Sequence, residues 1–170
     1  PDWWIARLKS EWPERWQQIA QSGNRKPPMA LRVNTTKLSR DEYLARCEFE
    51  ATAFGRAGVM LKRPIPAAQL YGYVGGLVSI QDGGAQLCAE ALELEDGMRV
   101  LDACTAPGGK SAALLERAKI ELVAVDRDAA RQATTREGLA RLGLKAEVKV
   151  ADVAHLPSWW DEKPFDRILL

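Results

Sequence analysis

Residues 102–111 read DACTAPGGKS, a proline–glycine–glycine turn between an apolar run and a stretch with helical spacing. Gly108 and Gly109 carry no Cβ, so the chain can bend sharply and let a ligand approach its backbone N–H groups. A helix starting at this point would add its positive end, which suits an anion or a carboxylate. The flanks alternate regularly: RVLDAC (99–104) reads as a strand, KSAALLERA (110–118) as a helix and ELVAVD (121–126) as a strand. DAARQATTREGLARL (128–142) then reads as a helix stopped by Gly143, and AEVKVAD (146–152) and FDRILL (165–170) as two more strands. Strands alternating with helices of this length predict an α/β fold with a parallel, Rossmann-like sheet covered by helices, of which the chain holds the first four strands. In such sheets ligands bind outside the carboxyl ends of the strands, where DACTAPGGKS lies.

Upstream the pattern differs. PDWWIARLKSEWPERWQQIA (1–20) has helical spacing, with Trp4 and Leu8 four apart and Trp12 and Trp16 likewise, so these tryptophans are expected in the core of a packed helix pair. QSGNRKPP (21–28) breaks the pattern. MALRVNTT (29–36) and VMLKRP (59–64) read as strands around SRDEYLARCEFE (39–50), where Ser39 and Glu42 have capping-box spacing ahead of a helix. LVSIQD (77–82) is a strand candidate and Asp82 a cap for the next helix. The expected division is a helical segment at 1–26, a small basic α+β subdomain at 27–78 and the Rossmann-like unit at 79–170.

Charge follows the same division. Residues 1–66 carry 12 Lys/Arg against 7 Asp/Glu, net +5, and residues 67–170 carry 12 against 16, net −4. A basic lobe beside an acidic one suggests a polyanion-handling surface joined to a small-molecule domain. No apolar run is long enough to span a membrane, and charges interrupt the first residues too often for a secretory signal. Three cysteines without metal-ligand spacing point to free thiols in a reducing, cytoplasmic setting, with no metal.

Three readings compete for the turn. A P-loop needs a glycine where Cys104 stands, and a dinucleotide fingerprint needs glycines that this turn does not have. The third reading uses the acids at consecutive strand ends, Asp102, Asp126 and Asp152. Asp126 lies 17 residues past Gly109, where a carboxylate can accept two bonds from a ribose diol, and Asp152 could accept from an adenine amino group. That is the layout of an S-adenosylmethionine site.

LDACTAPGGKS, ELVAVDRD, VKVADV and FDRILL together resemble the cofactor half of the RNA cytosine-5 methyltransferases, and PPMALRVN and SIQDGGAQ resemble that family's upstream segments. The resemblance covers nearly the whole chain. It implies S-adenosylmethionine as cofactor, held by Cys104, Thr105, Ala106, Pro107, Gly108, Gly109 and Lys110 with Asp126 on the ribose and Asp152 near the adenine. It also implies 16S ribosomal RNA as partner, contacted through Arg32, Asn34 and Lys37, and a monomeric parent protein. Arg32 and Asn34 could equally pin their strand to a neighbour.

Carbon 5 of cytosine is a poor nucleophile, and a thiolate adding at carbon 6 activates it. The resemblance places the two cysteines for this chemistry beyond Leu170, so residues 1–170 are expected to hold no catalytic residue and to be inactive alone. Cys47 and Cys88 read as small buried hydrophobes on helices, and His155, the one histidine, as a structural or solvated loop residue. A non-catalytic RNA- or cofactor-binding module and a P-loop-like phosphate binder remain open as alternatives.

Overall fold

A computed structural model describes residues 1–170. Two helices, α1 (Asp2–Glu11) and α2 (Trp16–Gly23), lead into β1 (Met29–Val33). Then follow α3 (Arg40–Arg46), β2 (Ala51–Phe54), β3 (Gly58–Leu61) and β4 (Val78–Ile80). The four strands form one antiparallel sheet in the order β2-β3-β1-β4. Its core is Leu31, Val33, Val59, Leu61 and Val78 with Tyr43 from α3, all buried. The predicted capping box is present: Ser39 Oγ accepts from Glu42 N, and the Glu42 carboxylate accepts from Ser39 N at 2.8 Å.

After α4 (Gly83–Ala91), capped by Asp82, the chain builds β5 (Arg99–Asp102), α5 (Gly109–Arg117), β6 (Glu121–Asp126), α6 (Ala129–Leu142), β7 (Glu147–Val150) and β8 (Arg167–Leu169). All pairs are parallel, in the order β7-β6-β5-β8. The period of two in β5 and β6 sends alternate residues to opposite faces. Val100 and Leu122 pack under α4 and α5 with Ala89, Ala113 and Leu114. Leu101, Val123 and Val125 face the other way, onto Trp159.

Three sequence expectations need correction. Val78–Ile80 does not open the parallel unit but closes the antiparallel sheet, because Leu31–Val33 pairs with it and Gln81 N continues the ladder to Ala30 O. The boundary expected at 78/79 therefore cuts through the sheet's last strand. The tryptophans of the first two helices are not core: Trp3 is 68% and Trp12 49% exposed, and neither helix holds a buried residue. α1 packs on α2, with Lys9 lying 4.6 Å over the Trp16 ring, but the pair leaves Trp3, Trp4 and Trp12 exposed. Finally, helices cover only one face of the parallel sheet. The β7–β8 connection returns across the other face as a loop with one short turn (Leu156–Ser158), anchored by Trp159. This follows from the strand order: β5 to β7 step outward with right-handed helical crossovers on one side, and the return to β8 must cross the opposite side. The reversal falls between β5 and β8, beside the turn.

Candidate cofactor site

The turn that leaves β5 is tied down at almost every residue. Asp102 is buried, and its Oδ2 accepts from Ser111 Oγ at 2.6 Å. Burial pushes the Asp102 carboxyl above its ordinary range, against the pull of the Ser111 hydroxyl and the Cys104 N–H. Of the three strand-end acids, Asp102 thus braces the turn from inside. Thr105 is buried, its hydroxyl donates to Asp102 O at 3.0 Å, and its N–H reaches Val125 O at 3.1 Å. Gly108 has φ +92° and is packed so closely that a Cβ there would lie 2.9 Å from Thr135 Cγ2. The glycine is therefore required both by its backbone angle and by its contact with α6.

Asp126 closes the site from the next strand. Its Oδ2 accepts from Ala106 N and its Oδ1 from Asp128 N, each at 3.0 Å. Burial alone would push this carboxyl up, but the Asp128 and Ala106 N–H donors, with Arg131 and Arg127 beside them, hold it below its ordinary range. It stays ionised at neutral pH, and each oxygen keeps acceptor capacity beyond its one backbone bond. Arg131 Nη2 donates to Ala106 O at 2.6 Å, so the turn is gripped from both β6 and α6.

Cys104, Ala106, Asp126 and Asp152 line one cavity of about 360 Å³ at the carboxyl ends of β5, β6 and β7. Four of the nine residues expected to bind a cofactor therefore meet around one space. Asp152 is exposed, and its Oδ1 accepts from Ala154 N at 2.9 Å. Thr105 and Gly108 shape the turn from beneath, while Pro107, Gly109 and Lys110 sit on its exposed side, outside that lining. The N–H groups of Gly109, Lys110 and Ser111 donate to no backbone carbonyl, as at any helix start. Arg127 and Arg131 also line the cavity, and the sequence reading missed both. Only the position of Arg127 directly after Asp126 could have signalled either one.

Arg32 and Asn34 lie elsewhere. Arg32 is 3% exposed and forks onto Glu116, with Nε–Oε2 at 2.7 Å and Nη2–Oε1 at 3.0 Å. Asn34 is fully buried, and its Nδ2 donates to Gly76 O and Leu142 O, each at 3.0 Å. Neither side chain can reach an RNA phosphate, because each is enclosed and spent on protein partners. They pin the antiparallel sheet to α5 and α6. Lys37 remains exposed, with Nζ bonded to Gly75 O at 2.8 Å. Cys47 caps α3 and Cys88 lies on α4, both half-buried rather than fully enclosed, and Cys104 is exposed.

The comparisons with known proteins agree along the chain. Residues 1–68 match the family model for the ferredoxin-like domain of RsmF/B-like methyltransferases, and residues 89–170 match that for 16S rRNA methyltransferase RsmB/F. The ribosomal RNA small subunit methyltransferase B of Pseudomonas syringae pv. tomato is 47% identical across all of this chain, and that of Shewanella oneidensis 46%. The chain spans about two fifths of these relatives' length, 40% and 41% respectively. Among solved structures, a methyltransferase homolog protein from Pyrococcus horikoshii is 29% identical with a TM-score of 0.83, over 97% of this chain and 56% of that one. NSun6 from the same organism, crystallised with SFG, shares the fold at 17% identity and a TM-score of 0.81, over 98% of this chain and 68% of that one. Matched by two of the family's domain models and by relatives along its entire length, the chain belongs to the RsmB/F methyltransferase family.

Proposed function

We propose that the cavity at the ends of β5, β6 and β7 holds S-adenosylmethionine, and that residues 1–170 are the cofactor-binding and RNA-docking part of a 16S ribosomal RNA cytosine-5 methyltransferase. The observation that carries this reading is Asp126, an ionised carboxylate in the cavity wall with acceptor capacity left for a ribose diol. Asp152 lines the same cavity and is assigned to the adenine amino group, and the turn from Cys104 to Lys110, of which Cys104 and Ala106 line the cavity, is assigned to the methionine end. The volume, about 360 Å³, lies in the range of small-molecule sites. S-adenosylmethionine would supply an electrophilic sulfonium methyl. The residues of this chain bind and orient it.

None of the three cysteines is placed as a nucleophile for cytosine, since Cys104 belongs to the cofactor wall and Cys47 and Cys88 lie outside it. The thiols are assigned to residues beyond 170, and this part alone is assigned no activity. RNA docking falls to exposed cations of the antiparallel unit, Lys37 among them, in place of Arg32 and Asn34. The unit divisions follow the two sheets: helices at 1–26, the antiparallel unit from 27 through Gln81, and the parallel unit from Asp82. The whole enzyme is assigned to the cytoplasm as a monomer. Calorimetry with S-adenosylhomocysteine on the full-length protein tests the cofactor assignment. Asp126→Ala removes two charge-assisted acceptors of about 1.5–3 kcal/mol each, so binding should fall at least tenfold. Unchanged affinity in a folded variant rejects the ribose assignment.

A further inference from the structure

The antiparallel unit meets α5 through a directed polar clamp. Arg32 on β1 uses all three of its guanidinium nitrogens on this seam. Nη1 donates to Gly109 O at 2.8 Å and to Gln81 Oε1, while Nε and Nη2 fork onto Glu116. Gly109 and Glu116 are seven residues apart on α5, two turns along one face. Thr35 Oγ1 adds a bond to Glu116 O at 3.0 Å. One side chain therefore holds the first residue of α5 and a point two turns further on. A slide or rotation of that helix would break one of the two grips.

We propose that Arg32, oriented by Gln81 and Glu116, is a positioning residue for the cofactor turn. It fixes where α5 begins, and hence where the backbone from Cys104 to Gly108 stands relative to Asp126. The proposal rests on the cofactor reading above and extends it by making the antiparallel unit part of the site's construction. Two features separate this role from simple adhesion between units. A buried ion pair is a poor device for stability alone, because desolvation offsets its attraction, but a good one for fixing register. The planar fork is also needed: a lysine is a point charge and cannot serve a carboxylate and a carbonyl two turns apart.

Asn34 supplies the control. It sews the same unit to the parallel one through Leu142 O at the far end of α6, away from the turn, with Gly76 O of its own unit as the second acceptor. The test compares Arg32→Lys, Gln81→Leu and Asn34→Ala in the full-length protein by amide hydrogen exchange without cofactor, and by S-adenosylhomocysteine affinity. The reporting amides are Thr105, Ala106, Gly108 and Ala112, whose N–H groups are bonded within the turn or to β6. Arg32→Lys should speed their exchange about tenfold and weaken binding by a similar factor, as expected for loss of one charge-assisted bond. Gln81→Leu, the milder change should Arg32→Lys not fold, should move both readouts the same way. Asn34→Ala should lower global stability and leave both at wild-type values. Turn exchange at the wild-type rate in folded Arg32→Lys or Gln81→Leu overturns the proposal, as does an equal effect from Asn34→Ala. Wild-type protein that fails to bind S-adenosylhomocysteine rejects the cofactor reading, and the exchange comparison still decides this one.

Discussion

Replacing Gly108 by alanine should damage the turn by two separable routes. The residue has φ +92°, outside the regions open to L-residues, and forcing alanine there costs on the order of 1–3 kcal/mol. The new methyl would also lie 2.9 Å from Thr135 Cγ2, closer than real Cβ contacts come, on a fully buried threonine that cannot swing aside. Relieving that overlap by shifting α6 should add about 1 kcal/mol. The single variant is therefore expected to lose about 2–4 kcal/mol in denaturant unfolding. Thr135→Ser removes Cγ2 and leaves the nearest Thr135 atoms at 3.3 and 3.4 Å. In a double-mutant cycle Gly108→Ala should then cost about 1 kcal/mol less in the serine background, leaving the backbone strain. A Gly108→Ala protein within about 0.5 kcal/mol of wild type would refute both the left-handed turn and its contact with α6, whereas a cycle with no coupling would refute the contact alone.

Other consequences follow from the same contacts. Arg32→Met leaves Glu116 buried without its partner and should cost about 3–5 kcal/mol, whereas Arg32→Met with Glu116→Leu should recover much of it; unfolding curves measure both. Asp126 is held below its ordinary range, so its contribution is present above about pH 4 and lost as pH falls through the folded value; Asp126→Asn should flatten that acid limb. Glu116 and Asp102 are pushed up by burial and have the opposite sign. The stability linked to them is present below the ordinary carboxylate range and falls as pH rises through it. Lys37→Glu should weaken RNA binding and reduce the salt slope by about one unit, while Asn34→Ala leaves the slope unchanged in a filter-binding titration.

The parallel unit was legible because its turn chemistry and strand pattern point the same way. Gly108 was readable as the glycine of a sharp turn, Gly143 as a stop, and FDRILL as a strand, which the structure seats beside β5. What escaped the sequence was contact between distant residues. Arg32 stood open in the sequence between an RNA contact and a pin to a neighbour, and Glu116, 84 positions later, decides for the pin by enclosing it. LVSIQD has no feature that says which of two sheets it joins, since strand propensity does not encode a partner. β2 was missed because ATAF continues a segment that reads as helix, and the helix ends at Arg46 only where Cys47 turns extended. The tryptophans show the limit of periodicity: it identified two helices correctly but could not say whether anything covers them. Arg131 belongs to the cavity through the fold alone.

The ribose contact at Asp126 is the centre of the account, and the most direct measurement is a ligand–protein double-mutant cycle by calorimetry. S-adenosylhomocysteine and its 2′,3′-dideoxy analogue are titrated into full-length wild type and Asp126→Asn. If the diol rests on this carboxylate, wild type should prefer the intact ribose at least tenfold, as loss of a charge-assisted bond of about 1.5–3 kcal/mol requires, and Asp126→Asn should lose most of that preference. Equal discrimination in both proteins would place the ribose elsewhere and contradict the account.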